Sequence, residues 1–164
     1  FYGAAYKLFE VAVVLSHSFM LVLFPTLVEE YHSDRAQFKN RIKKALAIYS
    51  LIGGGIAMVL WIFSQEVIGV VYGDKFLPSA DILDVLSGAI LLFFISFLLS
   101  NVLIASGQEK VNTWNLLGAT VLNVIFNLLW IPQYGAIGAA WATLFCEVGL
   151  VAILSLQVKK IINS

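Results

Sequence analysis

Low charge, high hydropathy and five long apolar runs together indicate an all-α membrane protein with five transmembrane helices. Of the 164 residues, 60% are hydrophobic and 12% charged, with a mean hydropathy of +0.92. Globular chains carry about 25% charged residues, so half the usual polar coat is lacking. The apolar residues gather into five runs, each near the ~20 residues that a helix needs to cross the hydrocarbon of a bilayer. These runs are too long for barrel strands, and the phenylalanine-rich segment 91–99 lacks a barrel's alternation of polar residues. An open backbone in lipid would leave its polar groups unsatisfied, which selects helices. The composition excludes a cytosolic enzyme, a disordered tail and a nucleic-acid binder. The single Cys146 lies in an apolar run, and His17 and His32 have no ligand spacing around them, so no disulfide framework, metal site or cofactor is expected.

The first helix is expected over 2–27, with Pro25 near its end. At 100° per residue, Lys7, Glu10, Val14, His17 and Ser18 fall within an arc of about 100°, a polar stripe on an apolar helix. Lys7 and Glu10 are spaced i, i+3 and can neutralise each other. Two readings stay open for them: a snorkelling lysine with its structural partner, or a cationic site in a water-filled cavity. His17 extends the stripe to mid-membrane, although such a histidine taken alone is more often a hydrogen-bonded core residue.

A polar loop is expected over 28–44, then a second helix over 45–71. Its Gly53-Gly54-Gly55 lacks the Lys-Ser/Thr of a phosphate loop and reads as a packing notch. The third helix is expected over 82–105, with Pro78 suited to its first turn, and Glu66 and Asp84 near the membrane interface. The fourth, over 112–131, carries Asn115, Ala119, Asn123 and Asn127 at i, i+4 steps, as glue between helices or the lining of a polar path. The fifth, over 136–157, aligns Ala136, Ala140, Thr143 and Glu147 on one face. Glu147 near mid-span is either a coupling-ion site or a neutral hydrogen-bond donor. No Ser-His-Asp or paired-carboxylate group appears in a loop, so no enzymatic activity is expected.

With five spans, Arg35, Lys39, Arg41, Lys43, Lys44, Lys110, Lys159 and Lys160 fall on one side, against Lys7 and Lys75 on the other. The positive-inside rule then makes 28–44 and the C-terminus cytoplasmic. The chain has no initiator methionine and opens inside an apolar run, so it is expected to be the C-terminal part of a longer transporter.

Several motifs occur in a telling order: Tyr2-Gly-Ala-Ala-Tyr-Lys-Leu-Phe-Glu10, Phe24-Pro25-Thr26-Leu27, Tyr72-Gly-x-x-Phe-Leu-Pro-Ser-Ala80 and Leu103-Ile-Ala-Ser-Gly-Gln108. They are followed by Asn127-Leu-Leu-Trp-Ile-Pro-Gln-Tyr-Gly-Ala-Ile-Gly-Ala-Ala-Trp-Ala-Thr143, with Glu147 after it. Together they resemble the C-terminal region of polysaccharide-biosynthesis flippases, the O-antigen and exopolysaccharide branch of the multidrug/oligosaccharidyl-lipid/polysaccharide exporter superfamily. The resemblance implies the last five helices of a two-lobe, about twelve-helix transporter whose N-terminal lobe lies outside this sequence. It further implies a bacterial or archaeal cytoplasmic membrane and a lipid-linked oligosaccharide substrate carried on undecaprenyl pyrophosphate. Membrane lipids and polysaccharide polymerase or assembly proteins are the implied partners. Lys7 matches a basic cavity residue of related flippases, and Glu10, His17, Asn123 and Asn127 are further cavity candidates. Two alternatives remain: a cation-coupled drug or metabolite exporter using Glu147 or Glu10, and a non-transporting scaffold of a glycan-assembly complex.

Overall fold

A computed structural model describes residues 1–163. The order of elements is α1 (Tyr2–Ser33), α2 (Arg35–Ile62), α3 (Ser64–Tyr72), a 3-10 segment (Asp74–Ser79), α4 (Ala80–Ala105), α5 (Glu109–Tyr134) and α6 (Ala136–Asn163). Among the described residues there is no strand, and five helices are long and apolar enough to cross a membrane.

α4 is the central helix. It packs against α1, α2 and α6, while α5 lies outside, mainly on α6. The absence of a polar face over 91–99 now has its cause, because a helix surrounded by protein needs no solvent stripe. Leu83, Leu86, Ile90, Phe94, Leu98 and Leu103 of α4 are at most 1% exposed. α5 is the opposite case, with Asn112 its only buried residue, and Leu116, Leu117, Val121 and Leu128 face outward.

The polar segment 28–44, expected as a loop, is helical except at Asp34. α1 has 32 residues, about 48 Å of helix against about 30 Å of hydrocarbon, so its polar end projects from the membrane without unwinding. Sequence polarity marked where lipid ends, and the helix does not stop there. The hairpin tip supplies the remaining contacts. Asp34 Oδ1 accepts from the backbone N–H groups of Ala36 (2.9 Å) and Gln37 (3.0 Å), capping α2. Glu30, buried, accepts from Arg41 Nε at 3.0 Å across the two helices, and the Arg35 guanidinium lies 3.8 Å over the Tyr31 ring.

The backbone N–H of Gln37 holds the Asp34 carboxyl below the usual carboxylate range. A group with a lowered folded pKa stabilises above its unfolded pKa and loses that contribution as pH falls through the folded one. The hairpin is therefore expected to keep its full capping contribution at pH 5–7 and to lose it below about pH 4. Asp34→Asn should retain the cap and flatten that pH dependence of thermal unfolding, whereas Asp34→Ala should lower the melting temperature even at neutral pH.

The second expected span, 45–71, is also divided. α2 ends at Ile62, Phe63 breaks the helix, and α3 follows as a separate short helix. The 28 residues of α2 already reach about 42 Å, enough to cross, and α3 packs beside the 3-10 segment and α4. Pro78 sits in the 3-10 segment that leads into α4, rather than in the first turn of α4 itself.

The two turns after α4 are tight. Gly107, at φ +73°, lets the Gln108 N–H reach the Leu103 carbonyl at 3.0 Å, a glycine-terminated helix end. Pro132 lies inside α5, so the turn between α5 and α6 consists of Gly135 alone, at φ +63°. Two glycines set interhelical spacing. A Cβ on Gly53 would stand 2.9 Å from Phe94 Cβ, and one on Gly138 would stand 2.7 Å from the Trp130 carbonyl oxygen. These confirm the notch in α2 and the close approach of α5 and α6.

Candidate functional site

The polar stripe of α1 is present and open. Lys7 Nζ donates to Glu10 Oε2 at 2.7 Å, and their side chains are 70% and 45% exposed. Neither group is walled in by the rest of the chain, so the ammonium keeps donors for another acceptor. About 15 Å further along the helix, His17 Nδ1 bonds the Val13 carbonyl at 2.8 Å, and the ring packs on Phe97 at 4.2 Å between centroids. Ser18 bonds back to the Val14 carbonyl. Bonds of this kind to the preceding turn let polar side chains lie in an apolar setting without exposing the helix backbone.

Glu147 of α6 is partly buried, and its Oε2 accepts from Ser96 Oγ of α4 at 2.7 Å. Ser96 and Phe97 are consecutive, so Glu147 and His17 approach α4 at the same depth, from α6 and α1 respectively. The sequence did not single out Ser96. The available signal was its position as the one hydroxyl in the apolar run 91–99.

The asparagines of α5 divide into two uses. Asn115 exchanges bonds with Gln157 of α6 at 2.6 and 3.2 Å, a reciprocal amide pair joining the helices. Asn127 Nδ2 donates to Asn123 Oδ1 at 2.8 Å within α5, and Asn127 borders a shallow groove with Val124, Leu128 and Pro132. The structure thus joins Lys7 to Glu10 and Asn123 to Asn127, and it gives His17 and Glu147 separate partners on α4. It does not gather all six into one pocket. Among the described residues no group of three or more His, Cys, Asp or Glu is placed to hold a metal ion.

The basic residues do come to one end. Tyr31 at the end of α1, Gln108 in the α4–α5 turn, and Gln157 and Lys160 near the end of α6 line a common groove. That end therefore carries the α1–α2 hairpin, Lys110 and the C-terminal lysines together.

A bundle of helices long and apolar enough to span a membrane, with a polar stripe along one exposed helix and a carboxylate held between two others, defines a polytopic membrane protein. Residues 2–163 match the family model described as lipid II flippase MurJ, and the chain belongs to that family. It is 32% identical over 126 residues to the uncharacterized membrane protein MJ1068 of Methanocaldococcus jannaschii, covering 76% of this chain and 25% of that one. It is 24% identical over 143 residues to the probable low-salt glycan biosynthesis flippase Agl15 of Haloferax volcanii, covering 87% and 30% respectively. Against the multidrug export protein MepA of Staphylococcus saprophyticus the identity is 23% over 155 residues, covering 89% and 33%. The chain thus spans a quarter to a third of the length of these relatives. No solved structure matches it significantly. The flippase and exporter superfamily implied by the sequence motifs is therefore established, with five helices long and apolar enough to cross a membrane among the described residues.

Proposed function

We propose that the full-length protein moves a lipid-linked oligosaccharide, carried on undecaprenyl pyrophosphate, from the inner to the outer leaflet for surface polysaccharide assembly. The observation that carries this reading is the open α1 stripe, in which Lys7 offers positive charge within a span and retains exposure despite its bond to Glu10. A diphosphate leaving water loses its hydration, and fixed cations in a cavity replace part of it. In this reading the five helices form part of a C-terminal lobe, and a second lobe outside this sequence faces the stripe. Alternating access between the lobes exposes the head group first inside, then outside. The end bearing the eight basic residues is cytoplasmic by the positive-inside rule. O-antigen or exopolysaccharide repeats are the substrates that the motif order favours, with polymerase or assembly proteins downstream.

A second reading, a cation-coupled exporter, is favoured by one observation: the Glu147 carboxylate is held by Ser96 inside the helix bundle, where its protonation can be sensed by both α4 and α6. One experiment separates the two. The full-length protein is placed in vesicles carrying a fluorescent polyprenyl-pyrophosphate oligosaccharide, and a soluble glycosidase reports which leaflet the sugar occupies. The flippase reading expects a protein-dependent increase in the fraction of sugar open to the external glycosidase, which persists in Glu147→Gln. Efflux of a cationic dye driven by a proton or sodium gradient, lost in Glu147→Gln and without any change in sugar accessibility, transfers the assignment to the exporter. A scaffold moves neither.

A further inference from the structure

The basic end of the α1–α2 hairpin contains a groove separate from the polar stripe. Phe19 and Leu23 of α1, with Ile48 and the Tyr49 ring of α2, form an apolar floor, and Arg41 and Lys44 stand at one rim. The floor is open to the surroundings, since Phe19 is 41% and Ile48 53% exposed. Its shape is fixed by two bonds. Tyr49 donates its hydroxyl to the Ser16 carbonyl at 3.2 Å, which pins the ring between the helices. Glu30 engages Nε and Nη2 of Arg41, which holds the guanidinium at the rim and leaves Nη1 for another acceptor.

The position along α2 indicates what this groove meets. From Lys44 to Ile62 the helix runs about 27 Å, close to the ~30 Å of a bilayer's hydrocarbon. If α2 crosses the membrane over this stretch, the Lys44 ammonium lies at the level of the lipid phosphates. The groove then extends from that level toward Tyr49, about one and a half helical turns into the acyl region. The charge is also specific. Arg41 and Lys44 contribute two positive charges and Glu30 offsets one, which leaves a net positive rim. A zwitterionic head group would bring its own cation against Lys44, whereas an anionic one would not.

We propose that this groove is a binding site for an anionic phospholipid of the bulk membrane, with its phosphate on Lys44 and Arg41 and the upper part of one acyl chain along Phe19, Leu23 and Ile48. The site acts on the hairpin and does not depend on which substrate is transported.

The test uses the delipidated full-length protein in native mass spectrometry, with phosphatidylglycerol and phosphatidylcholine at equal concentration. Retention of phosphatidylglycerol is expected to exceed that of phosphatidylcholine by about fivefold, the contribution of one cation beside a charged lipid surface. Lys44→Gln should bring the two lipids to parity, and Lys44→Arg should restore the preference. Ile48→Trp, which fills the floor and keeps both cations, should lower retention of phosphatidylglycerol. The paired change Lys159→Gln with Lys160→Gln, elsewhere on the same end, should leave the preference intact. An undiminished preference in Lys44→Gln overturns the site. So does equal retention of the two lipids by the native protein, or displacement of phosphatidylglycerol by free glycerol phosphate. Since none of these readouts involves transport, their failure is distinct from failure of the proposed function.

Discussion

Lys7→Gln in the full-length protein is expected to cut leaflet-to-leaflet movement of a polyprenyl-pyrophosphate oligosaccharide by roughly tenfold or more, the scale of one charge-assisted hydrogen bond to phosphate in a poorly hydrated cavity. In cells the same change should accumulate lipid-linked repeat units on the inner side and deplete surface polysaccharide. The side chain is 70% exposed and, among the described residues, bonds its neighbour one turn away, so removing it opens no hole in the core, and protein abundance should be unchanged. Lys7→Arg should keep most of the activity, because charge and donors persist. Glu10→Gln should preserve it as well, since it releases the ammonium from its internal counter-ion at 2.7 Å. Native transport rates in Lys7→Gln at equal abundance would reduce the pair to a snorkelling lysine with its partner.

The second large effect is on stability. Gly138→Ala places a Cβ 2.7 Å from the backbone oxygen of Trp130, and backbone cannot rotate aside as a side-chain tip can. The α5–α6 hairpin must open, at a cost of about 1–3 kcal/mol for a forced overpacking. The reciprocal Asn115–Gln157 pair lies on the same interface and is strained by the same movement. The companion measurement is Gly55→Ala, where a Cβ meets nothing within 4 Å. It should be neutral or slightly stabilising, because alanine is the better helix former. Thermal unfolding of the full-length protein in detergent or lipid discs reads both. Equal melting temperatures for the two variants would show that close packing at Gly138 does not limit stability.

How much of this was legible in the sequence depends on the range of the interaction concerned. The five spans follow from runs of apolar residues, which act locally and need no partner to be recognised. The Lys7–Glu10 pair follows from an i, i+3 spacing on one helix. The bounds around 28–44 did not follow, because the residues that favour water do not thereby disfavour helix. Arg, Lys, Glu and Gln are good helix formers, and α1 and α2 continue through them to Asp34. The break at Phe63 is likewise unmarked by proline or glycine, and it divides a run that hydropathy alone reads as continuous.

Partners between helices were the least visible. Glu147 stood out as a carboxylate in a span, but its bond to Ser96 joins residues 51 positions apart. Asn115 was legible as an amide in a span, while its mate Gln157 lies 42 positions away. Nothing in local spacing selects one serine or glutamine over another at such separations.

That this chain belongs in a membrane, how many helices suit a crossing, and which basic residues share an end are all legible in local composition. Those properties are sums over side chains or local periodicities, fixed by transfer into lipid and by the 3.6-residue repeat of the helix. Packing of the helices makes α4 central and α5 peripheral. It also brings Glu147 and His17 to one level of α4 and places Arg41 and Lys44 on the rim of an apolar groove. Which helices adjoin depends on the fit of small residues such as Gly53 and Gly138 against particular neighbours. In a chain apolar on nearly every helix, hydrophobicity cannot choose between partners, and shape and a few polar bonds do.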